Sequence, residues 1–383
     1  MDTAERKHSV PVLYVTGSHY ECGYEMGRTF KSLISSFLSS SKLLNEYLLP
    51  VYESVEGRKV YDQTLSFVKE KYPQYVNEIQ GIADGSDSEL HKLMLFHFDE
   101  ILPNVTNQHK SEIESSGCST VYLNNSSNSQ HFLTHTEDAA NECLNSFYLV
   151  SAHVMSEEPY GKFKVKEEKF TALCYPGHIG GYTMGYNSHG LVLTINTLVA
   201  NKLLINKAPR HFITRQLMTA RNYEEAMEII KDSGCGSADG FSINMKFIGK
   251  NNSSDFNNIE VGPAIDSQSQ MDVLKVSGDG SFIHCNHYVR LNIQEYSDYY
   301  MRATKARYET LTKLPEPKTK EDIINMLGDT SHDEHWVFRC KSDYGTKTIC
   351  VGIFDFIKGT WSLYKGNPKE NKPVAVLHLE IDA

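Results

Sequence analysis

The chain has 383 residues, 40% of them hydrophobic and 22% charged, with a mean hydropathy of -0.41, the profile of a soluble globular protein with chain enough for one large core or two smaller ones. A formal net charge of -10 argues against nucleic-acid or anionic-membrane partners and is compatible with a cationic small molecule. No run approaches the roughly 18 apolar residues of a spanning helix, and Met1 to His8 lack the apolar core of a signal peptide, so a cytosolic protein is expected.

Residues 1–117 read as helical after a short strand at 10–15. Met26, Phe30, Leu33, Ile34, Phe37, Leu44 and Leu48 recur at three- and four-residue steps and give one apolar helical face. Pro73 suits the first turn of a second helix with Tyr75, Val76, Ile79, Ile82 and Ala83 inward. Ser86-Asp87-Ser88 offers caps for a third helix over 90–101. A polar run, 104–114, follows. The texture then changes: short β-rich runs at 121–123, 132–134, 147–154, 163–174, 191–197, 241–248 and 282–287 are separated by turn signals such as Asn187-Ser188-His189-Gly190 and Asp279-Gly280. Helices are expected at 209–220, 223–231, 297–314 and 319–327, and a hairpin at 348–356 and 360–364 through Lys358-Gly359. Residues 124–128 and 250–258 read as polar loops. Strands in series with grouped helices predict a layered α+β sandwich rather than alternating βαβ.

Eight cysteines (22, 118, 143, 174, 235, 285, 340 and 350) are scattered without a C-x-x-C pair, so thiols are expected in a reducing compartment, neither a disulfide framework nor a zinc site. Asn104-Val105-Thr106 then carries no glycosylation. One cysteine stands apart by position. In Ser115-Ser116-Gly117-Cys118-Ser119-Thr120, Cys118 lies where the polar run gives way to a strand. Breaking the Gly117–Cys118 bond would give Cys118 a thiol nucleophile and an α-amine base of reference pKa about 7.7–8.0 on one residue. Gly117 lacks a Cβ and can hold the strained backbone such a break requires.

With that junction, four segments and a late tripeptide resemble one family in its own order. They are Tyr20-Glu21-Cys22-Gly23-Tyr24-Glu25-Met26-Gly27, Met184-Gly185-Tyr186-Asn187-Ser188-His189-Gly190-Leu191, Pro209-Arg210-His211-Phe212-Ile213-Thr214-Arg215, His284-Cys285-Asn286-His287-Tyr288 and Gly366-Asn367-Pro368. The family is that of the cysteine N-terminal-nucleophile (Ntn) hydrolases related to the fungal isopenicillin N acyltransferase. The resemblance implies an αββα four-layer sandwich, self-cleavage into a helical segment 1–117 and a segment 118–383 that stay associated as one folded unit, and no cofactor. Chain length, junction position and His135-Thr136-Glu137-Asp138 are most similar to a branch hydrolysing N-β-alanyl amines, implying N-β-alanyl-dopamine and N-β-alanyl-histamine (carcinine) as substrates.

The resemblance also assigns roles. Cys118 is the nucleophile in both cleavage and turnover, Asp138 holds the new α-amine, and Asn286 donates to the tetrahedral oxyanion. Glu137 is a candidate for the substrate ammonium as the neighbour of Asp138. Asn187 reads as a hairpin-turn residue, Asn196 as a less certain site residue. The family carries an arginine near the site; Arg302 and Arg307 both fall in that segment, in an ambiguous register, with surface helix charges as the other reading. His332-Asp333-Glu334-His335 has the wrong spacing for His-Glu-x-x-His and reads as a solvated loop, with no metal expected. Two further readings stay open: an acyltransferase resolving the same acyl-cysteine with an amine, and an uncleaved binding relative.

Overall fold

The computed structural model describes residues 8–105, 117–249, 255–295, 299–341 and 345–382. Most of the polar run 104–114, with Ser115 and Ser116, most of the loop 250–258 and the start of the helix expected from 297 lie outside them.

The chain opens with β1 (Val12–Gly17) and turns at Gly17 into α1 (His19–Thr29), where Ser18 and Glu21 form a reciprocal capping box. α2 (Lys31–Ser40) follows, then a π-helical turn (Leu43–Leu48) running into α3 (Leu49–Glu53), α4 (Val55–Lys71), α5 (Pro73–Ser86), α6 (Leu90–His97) and α7 (Ile101–Val105). Thus the apolar face read from Met26 to Leu48 is shared among three segments, with Leu33 only half-buried. Pro73 does start a helix, and its five inward positions are buried. The expected caps at Ser86–Ser88 are not used. Ser86 Oγ donates instead to the Ile82 carbonyl at 2.6 Å, Asp87 closes α5 in the left-handed region at φ 52°, and α6 starts after Glu89 without a side-chain cap and stops at His97.

α1 and α5 meet through glycines. A Cβ on Gly23 would fall 2.0 Å from the Glu78 carbonyl oxygen, and one on Gly81 would fall 2.2 Å from that of Tyr20. Gly27 and Gly85 make equally close approaches. The segment 20–27 therefore packs its helix backbone directly against that of α5.

From Gly117 the chain is mostly sheet: β2 (Gly117–Asn125), β3 (Gln130–Ala140), β4 (Tyr148–Tyr160), β5 (Val165–Cys174), β6 (Met184–Asn187) and β7 (Leu191–Leu198). α8 (Arg210–Leu217) and α9 (Tyr223–Lys231) interrupt, before β8 (Gly240–Phe247), β9 (Phe256–Ile265), β10 (Gln268–Val276) and β11 (Gly280–His284). α10 (Tyr299–Lys313), α11 (Lys320–Leu327), β12 (Thr346–Asp355), β13 (Thr360–Tyr364) and β14 (Ala375–His378) complete it. β6, β9, β10 and β14 were not read from the sequence. Asn257, Asn258 and Glu260 of β9 are all buried, so its pattern lacks the usual apolar alternation.

The strands form two sheets, in the orders β1-β4-β5-β6-β7-β8-β9-β10 and β11-β2-β3-β12-β13-β14. β1 is parallel to β4; the other pairs are antiparallel. The sheets pack face to face: Tyr122 on β2 stacks on Phe256 of β9 at 4.0 Å, and Thr120 on β2 meets Thr194 on β7 at 3.4 Å. α1 contacts β1 and β4, and α8 reaches β5, on the outer side of the eight-stranded sheet. α10 and α11 cover the six-stranded sheet, burying Leu311, Ile323, Met326 and Leu327 against Val121, Leu123, Phe132, Val351 and Ile353. The result is an αββα sandwich.

Residues before and after the junction share this core. Leu93, Phe96 and Ile79 are buried in one cluster with Leu149, Phe170 and Phe212. A buried ion cluster adds to it. Arg215 donates to Glu78 (2.9 Å) and to Glu168 (2.6 Å), while His19 lies 2.9 Å from Glu78 and 3.3 Å from Glu168.

Candidate active site

Gly117 and Cys118 open β2, and the register sets their partners: Gly117 lies opposite Asp138 and Cys118 opposite Glu137 on β3. On the other side β2 pairs with β11, which delivers Asn286 two residues past its end. The first residue of the segment 118–383 therefore sits in mid-sheet, with an acid on one neighbouring strand and an amide just beyond the other. Cys118 is 4% exposed.

The Cys118 backbone N–H donates to Asn286 Oδ1 at 2.7 Å. Arg307 on α10 donates to that same oxygen at 2.8 Å, and to the Cys118 carbonyl and Ser119 Oγ at 2.8 Å each. Two donors therefore fix which end of the Asn286 amide faces Cys118, and Nδ2 points away to the Thr197 carbonyl at 3.1 Å. The loop carrying Asn286 is pinned from both sides. Asn286 N–H donates to Thr304 Oγ1 on α10 at 2.8 Å. Buried Glu260 accepts from the backbone N–H groups of Val289, Arg290 and Leu291, and lies 3.0 Å from His284. Burial works against charge on Glu260, but His284 and these N–H donors outweigh it and hold the carboxyl at about 2.

Asp138 accepts from Thr348 Oγ1 at 2.6 Å through Oδ1. Its Oδ2 has no hydrogen-bond partner among the described residues, though Arg307 and Arg339 lie 3.7 and 3.6 Å away. That free oxygen would lie 3.4 Å from a Cβ built on Gly117, and Arg307 Nη2 only 2.9 Å, so a larger residue at 117 would press on the guanidinium.

Glu137 is the carboxylate in contact with the thiol. Its Oε2 is 4.0 Å from Cys118 Sγ and 3.1 Å from His135 Nε2, while its Oε1 accepts from Tyr175 OH at 2.5 Å. His135 continues through Thr120 (2.9 Å) to Asn196 (3.1 Å) and Asn244, a buried polar chain between the sheets. Burial pushes the Cys118 thiol well above its ordinary range, Glu137 and Asp138 add to this, and Arg307 opposes it. That favours the neutral thiol. Cys118, His135 and Glu137 each place one potential ligand atom within 4.8 Å of the others, so any cation held here would sit on the thiol itself.

Cys118, Asp138, Asn286 and Glu137 thus converge. Arg307 joins them, whereas Arg302 lies by the Tyr299 ring, 5.9 Å from its centroid. Sequence reasoning left this choice open. The deciding signal was available: Tyr300, Thr304, Arg307 and Leu311 recur at helical spacing and are all buried, which puts Arg307 on the inner face. Asn187 is a turn residue, accepting from Leu191 N–H and donating to the Met218 and Ala220 carbonyls. Asn196 belongs to the polar chain behind the thiol. His332 accepts the backbone N–H groups of Glu334 and His335. Segment 209–215 proves architectural: Arg210 pairs with Asp99, Glu100 and Asp239, and Arg215 anchors the buried ion cluster. An open groove of about 500 Å³ beside Tyr14, Lys169 and Asp382 shares no residue with the Cys118 centre.

A family model described as acyl-coenzyme A:6-aminopenicillanic acid acyl-transferase matches residues 124–370, a span that takes in Asp138, Asn286 and Arg307. A beta-alanyl-dopamine/carcinine hydrolase of Drosophila melanogaster is 44% identical over 373 residues, covering 96% of this chain and 96% of the relative. Penicillin V acylase from Agrobacterium tumefaciens is a solved structure with 11% identity and a TM-score of 0.36, over 64% of this chain and 82% of that one.

Proposed function

The chain belongs to the acyl-coenzyme A:6-aminopenicillanic acid acyl-transferase family, and on that premise we propose that it is a self-cleaving cysteine amidohydrolase acting on N-β-alanyl amines. The substrates are N-β-alanyl-dopamine and N-β-alanyl-histamine, the products β-alanine and the free amine. The Drosophila relative's name supplies the substrate class. One observation carries the mechanism: a cysteine directly after a glycine, buried in mid-sheet, with its backbone nitrogen already held by Asn286 at 2.7 Å.

Cleavage at Gly117–Cys118 turns that nitrogen into an α-amine. Asn286 Oδ1 keeps its hold on it, and departure of Gly117 opens the space beside Asp138 Oδ2, whose charge orients the amine and stabilises the ammonium once it has taken up a proton. In turnover the amine takes the thiol proton and Sγ attacks the β-alanyl carbonyl. The oxyanion forms on the Nδ2 side of Asn286, where one N–H already donates to the Thr197 carbonyl and the second is left for the oxyanion, a donor typically worth about 2.7–4 kcal/mol. Arg307 keeps that amide from rotating. The leaving amine receives the proton, and water, deprotonated by the same α-amine, releases β-alanine from the thioester. Glu137 lies near enough to the thiol to face the β-alanyl ammonium, two carbons from the reacting carbonyl. The shared core, β1 beside β4 and the Arg215 cluster keep the two pieces together. Among the described residues no helix is long and apolar enough to cross a membrane, and the reading places the enzyme in the cytosol, where its eight cysteines stay thiols.

The test supplies purified protein with each N-β-alanyl amine, and separately with an acyl-CoA plus free amine. Release of β-alanine by wild type, and neither cleavage nor release by Cys118→Ala, is expected. A cleaved or active Cys118→Ala protein removes the nucleophile, and preferential acyl-CoA-dependent amide formation replaces the hydrolase with a transferase.

A further inference from the structure

The mechanism above has a gap at its first step. The α-amine that serves as base in turnover does not exist before cleavage, because in the uncut chain the Cys118 nitrogen is an amide with no basic lone pair. Burial and the neighbouring carboxylates hold the thiol neutral. A neutral, buried thiol attacks poorly, so the cutting step needs a base of its own within reach of Sγ.

We propose that Glu137 is that base: a catalytic residue for self-cleavage, with His135 and Tyr175 as its positioning residues. Its Oε2 contacts Cys118 Sγ at 4.0 Å, a separation that sulfur contacts tolerate and that reaction geometry shortens. Register enforces the placement, since Cys118 and Glu137 face each other across β2 and β3. Tyr175 OH on Oε1 and His135 Nε2 on Oε2 hold the carboxylate in one orientation. Asp138, the other nearby acid, lies opposite Gly117 rather than Cys118 in the register, with Oδ1 bonded to Thr348 and Oδ2 set between Arg307 and Arg339.

The step balances without a co-reactant beyond water. Glu137 accepts the S–H proton as the C–S bond to Gly117 forms. The proton then passes to the Cys118 nitrogen as the C–N bond breaks, leaving a thioester and a free α-amine. Water hydrolyses the thioester, giving the Gly117 carboxylate and regenerating the thiol. Once the amine exists it takes over as base. An uncut chain holds no substrate, so the carboxylate that later faces the ammonium is free for this earlier task.

The inference rests on Cys118 as the self-cleaving nucleophile, and the test separates the two by reading cleavage alone, from intact mass, with no substrate present. Glu137→Gln keeps the shape and removes the basicity; its cleavage is expected to slow by about 10²–10⁴-fold. Raising the pH restores it, because hydroxide can then take the thiol proton, and a misfolded chain would show no such rescue. Glu137→Asp, with a carboxylate set back by one methylene, is expected to cleave at an intermediate rate. Cleavage of Glu137→Gln at the wild-type rate overturns the inference. So does a Glu137→Gln protein that melts like wild type yet stays uncut at every pH, which would make the residue a structural support. A wild-type chain that never cleaves defeats the underlying reading instead.

Discussion

The molecule buries two arginine-centred clusters, and they are built differently. Around Arg215, two carboxylates face two cations, and the pairs join α1 and α5 to β5 and α8 at 2.6–3.3 Å. Burial disfavours charge on Glu78, but Arg215 and His19 outweigh it and hold that carboxyl at about 2. Around Arg307, the guanidinium reaches not a carboxylate but the amide oxygen, backbone carbonyl and hydroxyl of the residues at the junction, while its nearest carboxylate oxygen stays 3.7 Å off and unbonded. The cluster that holds elements together places each charged group within 3.3 Å of an opposite one. The cluster beside the bond proposed to break keeps one carboxylate oxygen without a hydrogen bond.

This contrast predicts a split between variants. Arg215→Met leaves two buried carboxylates with one weak counter-charge and is expected to cost about 3–5 kcal/mol of stability, read as a lower midpoint in denaturant, while the folded fraction still cleaves. Arg307→Met is expected to lower cleavage and turnover by about 10²–10³-fold, since Asn286 loses the contact that orients it. Equal damage to stability and rate by both substitutions would erase the distinction. Gly81→Ala, which drives a methyl into the Tyr20 carbonyl, is expected to separate α1 from α5 at a cost of about 1–3 kcal/mol without changing the cleavage rate of folded protein.

The smallest effect is pH-dependent. Burial favours a neutral His19, but Glu168 and Glu78 outweigh burial and raise its pKa. Its contribution, about 1.5–3 kcal/mol for a hydrogen bond to a charged group, is therefore full below the unfolded value of about 6.5 and is lost as pH rises through the raised folded value. The carboxyl of Glu78 acts oppositely: its contribution is present above about 4.5 and lost as pH falls towards 2. Melting curves of wild type should fall on the alkaline side of 6.5, and His19→Gln should flatten that limb. An unchanged limb would remove His19 from the cluster's energetics.

The expectation of a cut at Gly117–Cys118 rests on a local signal: a glycine, a cysteine and a change from polar run to strand. Asp138 and Asn286 were reached through resemblance, and the structure brings both to Cys118 because β3 and β11 flank β2. Arg307 was missed for a rotational reason. Residues 302 and 307 lie on different faces of α10, and only the spacing of its buried positions tells which faces the sheet. β9 was missed because buried polar residues interrupt its apolar pattern, Asn258 among them extending the polar chain that ends at the thiol. Segments 20–27 and 209–215, two of the segments on which the resemblance rested, are there for backbone contact and charge pairing rather than chemistry.

The most direct test follows one preparation in time, measuring by intact mass the fraction of chains that begin at Cys118 and, in the same samples, β-alanine released from an N-β-alanyl amine. The account predicts that hydrolysis rises in strict proportion to that fraction and is nil at its start. Full hydrolysis by protein whose Gly117–Cys118 bond is still intact would contradict it.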